Sequence, residues 1–580
     1  MEKSKITKSL AVFASVLLII IIGVASFAYF GTFNVNLNNN VAVNINSSSP
    51  GNATFTSTAT QLNLQVPAAN MSFTVANNTV AAKEDTAFLD VTLTGSSNLL
   101  TTCTYDIVYA YDAGSNVYGQ GTTTKTSGAT KEITIEVNGM NGNNHFATET
   151  NFDHANIQGY YDSTNKYYKL VEGATIKSLG STQSVRWKII GRYYNLNVSQ
   201  AQLGGKNFTG KIYAISKGCS SEDGTTVKKG YETILANNGG AASMTTLTST
   251  DFATVTTASD KGMYKAQDDL GTSYYFRGAV DNNWLKYGKY TKDMYNCNNG
   301  SISATDTGNS CTKIASSGDD IYWRIIRING DGSIRMIYSG VTPPKESTKV
   351  IKTTDTSLGN SQFNANSDKA EYVGYMFTVG QQHGTGTDST IKTYLDNWYA
   401  NYTDLNKTGT KITDQIYCND RTASTSDVAY STTNYTTLTS WNSTGTKYYY
   451  GANGRVWNSP VSPDYKCPVA SDKFTKTTAK GNGKLSYPVG LITADELTFA
   501  GLPAGETNNS FYLHTGANYW AGSPFVFYDG NRAREFRVRV GGSLVDDIVS
   551  GTGGARGVVS LSSESKLLGS GTYNDVYVVS

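Results

Sequence analysis

Residues 320–340 read DIYWRIIRINGDGSIRMIYSG. Two runs of β-branched and aromatic residues flank Asn329-Gly330-Asp331-Gly332, residue types that tolerate the positive φ of a tight turn, so the stretch predicts an antiparallel hairpin. Asp331 sits where a turn needs a short polar side chain. The spacing around it is not that of an EF-hand loop, so it is read as a turn residue rather than a calcium ligand.

The rest of the chain agrees with a β reading. Its 580 residues allow two to four domains, and charged residues make up only 16% while tyrosines number 39 and prolines 10. That composition suits extended, turn-rich structure more than long helices. A net charge of +2 implies no nucleic-acid partner, so specificity has to come from local patches. Lys3, Lys5 and Lys8 precede an uncharged stretch at residues 9–30, SLAVFASVLLIIIIGVASFAYF. It is long enough to span a bilayer, with its basic flank on the cytoplasmic side. Residues 1–30 are therefore expected to form a transmembrane signal-anchor holding the chain on the outer face of its own membrane. Cleavage near residues 24–28 would release the remainder instead.

Six cysteines fit an oxidising compartment. Cys297 and Cys311 bracket a short loop and are expected to pair; Cys418 with Cys467 is the next pairing, leaving Cys103 with Cys219. There is no CxxC pair, and His145, His154, His383 and His514 are scattered. No metal site or cofactor is expected.

Residues 31–70 are rich in Asn, Ser and Thr. A succession of short strand-like runs then continues to about residue 220, as in TAFLDVTLTG, CTYDIVYAYD and SVRWKIIGRYYNLNV. The spacing predicts an antiparallel β-sandwich over 31–220, a stalk, followed by a connector over 221–250 with one helix near GYETILAN and a second module over 251–580. Within that module Ile391, Tyr394, Leu395 and Trp398 recur at helical spacing, predicting a helix packed on a sheet. Thr493 with Glu496 three residues on forms a capping box, which gives the Asp495-Glu496 pair a structural role.

No nucleophile with its base, P-loop, dinucleotide fingerprint or metalloprotease spacing is present, so the chain is not expected to be an enzyme. The segments KGMYKAQDDLGTSYYFRGAVDNNWLKYG, YWRIIRINGDGSIRMIYSG, YLDNWYANY, QIYCNDR, YPVGLITADELTFAGL, YWAGSPFVF and GARGVVSL together resemble a C-terminal module of surface proteins from Gram-positive gut bacteria. That module is itself similar to C-type-lectin-like domains and to the related formylglycine-generating-enzyme fold. The resemblance implies a mostly β chain with few helices: membrane helix, sandwich, then an α+β C-type-lectin-like binding module. The sugar-binding and redox motifs of those folds are absent. The FAYF run before a sandwich also resembles camelysin and TasA matrix proteins, which implies a structural matrix or fibre subunit as the alternative function.

C-type-lectin-like modules at a C-terminus are targets of diversity-generating retroelements, which randomise template adenines. An asparagine codon altered in this way reaches Arg, Asp, Gly, Ser, Val, Ile and Tyr, but not Lys, Glu, Gln, Met or Trp. Residues 523–554, SPFVFYDGNRAREFRVRVGGSLVDDIVSGTGG, match that set: outside 532–539 the chain carries 35 lysines and 9 arginines, yet four arginines fall within these eight positions. The resemblance implies a variable region over 524–554 whose ligand-binding positions are Val526, Tyr528, Asp529, Arg532, Arg534, Arg537, Arg539, Gly542, Ser543, Val545, Asp546, Asp547 and Ile548. Glu535 is out of reach of such a codon and is expected to be framework or to come from another codon. Strand alternation places Glu535, Arg537 and Arg539 on one face, expected to be solvated, and Phe536, Val538 and Val540 on the other. The implied function is a cell-surface receptor or adhesin whose partner is a protein or glycan on another cell, phage or host surface. Guanidinium groups would serve as planar donors to carboxylate or phosphate.

Overall fold

The computed structural model describes residues 41–45, 53–66, 81–95, 99–111, 131–139, 142–152, 157–196, 200–223, 227–306, 310–424, 448–528 and 532–580. The hydrophobic segment at residues 1–30 lies outside them. None of the described helices is long and apolar enough to cross a membrane. The chain is mostly β and divides into two units, Met1–Thr226 and Val227–Ser580.

The first unit is sandwich-like. One sheet runs in the order Val41–Ile45, Ala53–Ser57, Ala81–Thr94, Thr182–Tyr194, Ile133–Asn138, Thr150–Asn151. The other runs Thr60–Gln65, Asn207–Asp223, Leu99–Tyr111, Tyr167–Leu179, Asn143–Asn144. All described pairings are antiparallel, and alternate residues such as Leu89, Val91 and Leu93 on one sheet and Tyr105, Ile107 and Tyr109 on the other point into one core around Trp187. Cys103 and Cys219 lie opposite each other in strand register and are bonded.

The second unit begins earlier than its expected start at residue 251. The helix Gly230–Asn237 belongs to it: Ile234 and Leu235 are buried in its main core, Gly230 N–H donates to the Ser565 carbonyl at 2.6 Å, and Asn237 bonds the Tyr577 hydroxyl. Of the segment expected to be a connector, residues 227–250 are thus part of this unit, because the helix carries an apolar face that needs a core to cover it.

The hairpin at 320–340 forms as its pattern requires, with strand Asp320–Ile328 pairing Ile334–Tyr338 and Asn329 N–H closing the turn on the Ser333 carbonyl. It sits inside an eight-stranded sheet with Lys261–Asp268, Gly271–Gly278, Trp284–Lys289, Val558–Leu561, Leu567–Leu568 and Tyr577–Val579. Every residue from Asp320 to Ile328 is buried, so this is a central strand covered on both faces. Helix Thr390–Asn401, capped by Ser389, buries Ile391, Tyr394, Leu395 and Trp398 in the main core. A second sheet holds Asn360–Gln362, Thr552–Gly554, Tyr519–Tyr528, Arg532–Val538 and Leu544–Ile548 in that order. Disulfides join Cys297 to Cys311 and Cys418 to Cys467, and no cysteine among the described residues is free.

Candidate binding face

Three antiparallel strands carry the arginine-rich stretch: the aromatic strand Tyr519–Tyr528, the arginine strand Arg532–Val538 and the edge strand Leu544–Ile548. Residues opposite each other in register project to the same side of a sheet. The pairs Tyr528–Arg532, Arg534–Ile548 and Phe536–Asp546 therefore share one side; Trp520–Arg537, Arg537–Val545 and Glu535–Asp547 share the other. The four arginines do not form one row. Arg532 and Arg534 lie on one side, Arg537 on the opposite side, and exposed Arg539 at the hairpin turn beyond the strand.

Contacts bear out this division. The guanidinium groups of Arg532 and Arg534 lie over the Tyr528 ring at 5.5 and 5.8 Å from its centroid, and Arg534 pairs with Asp546. Arg532 is exposed. On the other side Arg537 pairs with Asp547, lies over Trp520 and is only 8% exposed. Asp546 and Asp547 are thus committed to neighbouring arginines, and the cluster that faces outward is Tyr528, Arg532, Arg534, Asp546 and Ile548. Val545 is half-buried on the opposite side with Arg537, Ser543 is half-buried at the turn, and Val540 there is 60% exposed.

Several expected positions are placed differently. Asp529 lies outside the described residues. Val526 is 2% exposed and belongs to the core. Gly542 is buried at φ +81°, and a Cβ there would fall 2.4 Å from Asn509 Oδ1 and 2.6 Å from the Asn508 carbonyl. A side chain at that turn is excluded both by backbone conformation and by space. The side of the arginine strand expected to be solvated is covered: Glu535 is wholly buried, and neither carboxylate oxygen has a hydrogen-bond partner among the described residues. Burial pushes its carboxyl well above the ordinary range, opposed by the Arg421 charge. The strand's periodicity is as expected, but the 361–373 segment covers that side; Ala533 N–H donates to the Ser367 carbonyl, and the turn Ala370–Val373 packs on the arginine strand.

The capping box forms at helix Ala494–Phe499, with Thr493 N–H donating to Glu496 Oε2 at 3.0 Å and Glu496 N–H donating to Thr493 Oγ1 at 3.0 Å. Sequence reasoning missed what else Glu496 does. It is 2% exposed, accepts from Arg327 Nε at 3.1 Å and from Arg335 Nη2 at 3.3 Å, and forms ion pairs with both guanidinium groups, while Arg327 Nη1 also reaches Asp268 at 2.7 Å. Asp495 holds Arg455 through two parallel bonds of 2.9 and 3.0 Å, and Arg455 in turn reaches Asp420 at 2.7 Å. Burial pushes Glu496 up, but the Arg335 and Arg327 charges outweigh it and hold the carboxyl below its ordinary value. These carboxylates are satisfied by arginine, an arrangement that fixes the packing of strands on helix. The cavity beside them holds about 30 Å³, room for water only.

Comparison with family models, curated proteins and solved structures found no match. The outward cluster therefore has to be understood from its own chemistry. It offers two planar cations backed by a phenol, one exposed enough to reach a partner, with a carboxylate and aliphatic carbon alongside.

Proposed function

We propose that the protein is a cell-surface binding protein, receptor- or adhesin-like, whose second unit is a C-type-lectin-like module displaying a diversified face at the outer end of the arginine strand. The observation that carries this reading is the cluster of Tyr528, Arg532, Arg534 and Asp546, held on a sheet whose reverse side is buried. A rigid sheet with a mixed, partly open charged cluster suits recognition of a protein or glycan and has no group poised for turnover. Three disulfides fit an extracellular, oxidising location. On this reading the segment at residues 1–30 anchors the chain in its own membrane, and nucleic acid is not a partner.

Self-assembly as a matrix or fibre subunit is the alternative, and it requires open strand edges. The edge strand beside the cluster is largely closed. Leu544 exchanges backbone bonds with Gly505 and Glu506, Ile548 N–H donates to Asp547 Oδ1, and Gly551 N–H donates to the Ile548 carbonyl. Recognition there falls to side chains.

The test has two parts. The chain is displayed on a cell surface and screened against protein and glycan arrays. Ligands recognised through this face must be lost in R532S/R534S and retained in K407S, a change at an exposed lysine elsewhere. Retention by R532S/R534S refutes the assignment. For diversification, the neighbouring DNA should contain an adenine-rich near-copy of the codons for residues 524–554 beside a reverse transcriptase, and an invariant sequence across isolates refutes it.

A further inference from the structure

Arg532 and Arg534 lie over the same Tyr528 ring and each donates to its hydroxyl at 3.4 Å, yet only one of the two charges is open. We propose that Asp546 sets the class of anion this face accepts: by taking up Arg534 it leaves Arg532 as a single open guanidinium, which fits one carboxylate on an acidic protein segment rather than a phosphate or sulfate. This specificity rests on the binding face described above and narrows its partner.

The sheet builds the arrangement. Arg534 and Asp546 project to the same side of neighbouring strands, and Arg534 Nε donates to Asp546 Oδ2. Their side chains are only 19% and 23% exposed, so the pair is partly withdrawn from water. Arg532 is exposed and pairs with no carboxylate among the described residues. On the reverse side Asp547 takes up Arg537 in the same way. Arg539, also exposed, lies at the far end of the strand, about 23 Å from Arg532 at about 3.3 Å per residue.

One open planar donor matches one carboxylate through two parallel bonds. A phosphate dianion calls for a second cation and a polyanion for a row of them. Asp546 cancels the nearest candidate, and Arg539 is too distant to serve. Beside Arg532 the cluster offers the Tyr528 ring and Ile548, which is apolar carbon, while its own carboxylate is already held by Arg534. The complement is an Asp or Glu flanked by apolar side chains, on a partner protein whose charge steers it onto the sheet. Asp546 is itself one of the positions expected to vary. Its exchange would change the anion class and leave the sheet intact.

The test selects short random peptides from a phage library on the full chain in detergent micelles, with R532S as the counter-selection. Peptides that need Arg532 should carry an Asp or Glu next to an apolar residue, and exchanging that acid for its amide should weaken binding about fivefold. Acetate and inorganic phosphate then compete with the peptide at neutral pH and equal ionic strength. They should displace it from the parent at similar concentrations. D546N keeps the size of the side chain but leaves the Arg534 charge uncancelled. With its fold checked by circular dichroism, it should answer to phosphate at about fivefold lower concentration, acetate being nearly unchanged. The assignment is overturned if no peptide depends on Arg532, if the dependent peptides lack an acid or tolerate its amide, if phosphate is already the stronger competitor on the parent, or if D546N answers both anions alike. A neutral peptide or a glycan that is lost in R532S/R534S also overturns it, and leaves the binding face itself standing.

Discussion

Replacing Glu496 by glutamine isolates the worth of the buried charge that joins strand, hairpin and helix. Glutamine keeps the size of the side chain and an oxygen to accept from Thr493 N–H, so the capping box survives. The loss falls on Arg327 and Arg335. Arg327 retains Asp268 at 2.7 Å, but Arg335, 1% exposed, is left with the Ile416 and Leu491 carbonyls at 3.1 and 3.4 Å. Removing one member of a buried ion pair costs about 3–5 kcal/mol, because the remaining charge is uncompensated. With a urea m-value of about 3 kcal/mol/M for the second unit, the midpoint should fall by about 1–1.7 M at unchanged slope. Tryptophan fluorescence reports it, since Trp284, Trp323, Trp398 and Trp520 are buried in that unit. The same bond predicts a pH signature. Glu496 has a depressed carboxyl in the folded state, so its contribution is full above the unfolded value and is lost as pH falls through the folded value; E496Q should lack that part of the acid loss. A midpoint shift under about 0.3 M, equivalent to less than about 1 kcal/mol, would refute the placement of Glu496 as the hub.

Glu535 should show the opposite pH dependence, because burial raises its folded-state carboxyl above the unfolded value. The penalty is absent below the unfolded value and grows as pH rises toward the folded one, so E535Q should match the parent near pH 4 and exceed it in melting temperature at pH 8; equal differences at both pH values would count against this. Gly542→Val should destabilise by about 2–4 kcal/mol in chemical denaturation, since it meets positive φ and the Asn508 carbonyl together. Val545→Ser on the neighbouring strand should stay within about 1 kcal/mol of the parent. Chain-entropy arithmetic for the separations of 14 and 116 residues predicts a loss of about 3 kcal/mol for C297S/C311S and about 5 kcal/mol for C103S/C219S. A larger loss for the shorter loop, measured by calorimetry, would show that chain entropy is not the governing factor.

Local patterns are legible in this chain where local physics decides them. The turn at Asn329–Gly332, the stripe of Ile391, Leu395 and Trp398, and the Thr493–Glu496 cap each follow from neighbours a few residues apart, and each forms. What a side chain meets across the fold is not written nearby. Glu496 has a sufficient local reason to be acidic, so nothing in its own segment announces Arg327 and Arg335, more than 160 residues away. The helix at GYETILAN is visible from its sequence, but the core that receives Ile234 draws on residues as far along the chain as Leu567 and Tyr577. Alternation along REFRVRV fixes which side chains share a side. It is silent on which side the 361–373 segment covers.

That distinction sharpens the reading of the arginine stretch. Reachability from an asparagine codon admits Val526, Arg537 and Gly542 as readily as Arg532, yet packing removes the first, largely buries the second and forbids any side chain at the third. Glu535, which such a codon cannot reach, is the most deeply buried ionisable residue of the strand. On the proposed diversification, codon reach would mark where change arises, and burial marks where it could be displayed. Only positions that satisfy both, with Tyr528, Arg532, Arg534, Asp546 and Ile548 at their centre, can alter what a partner meets without altering the sheet that presents them.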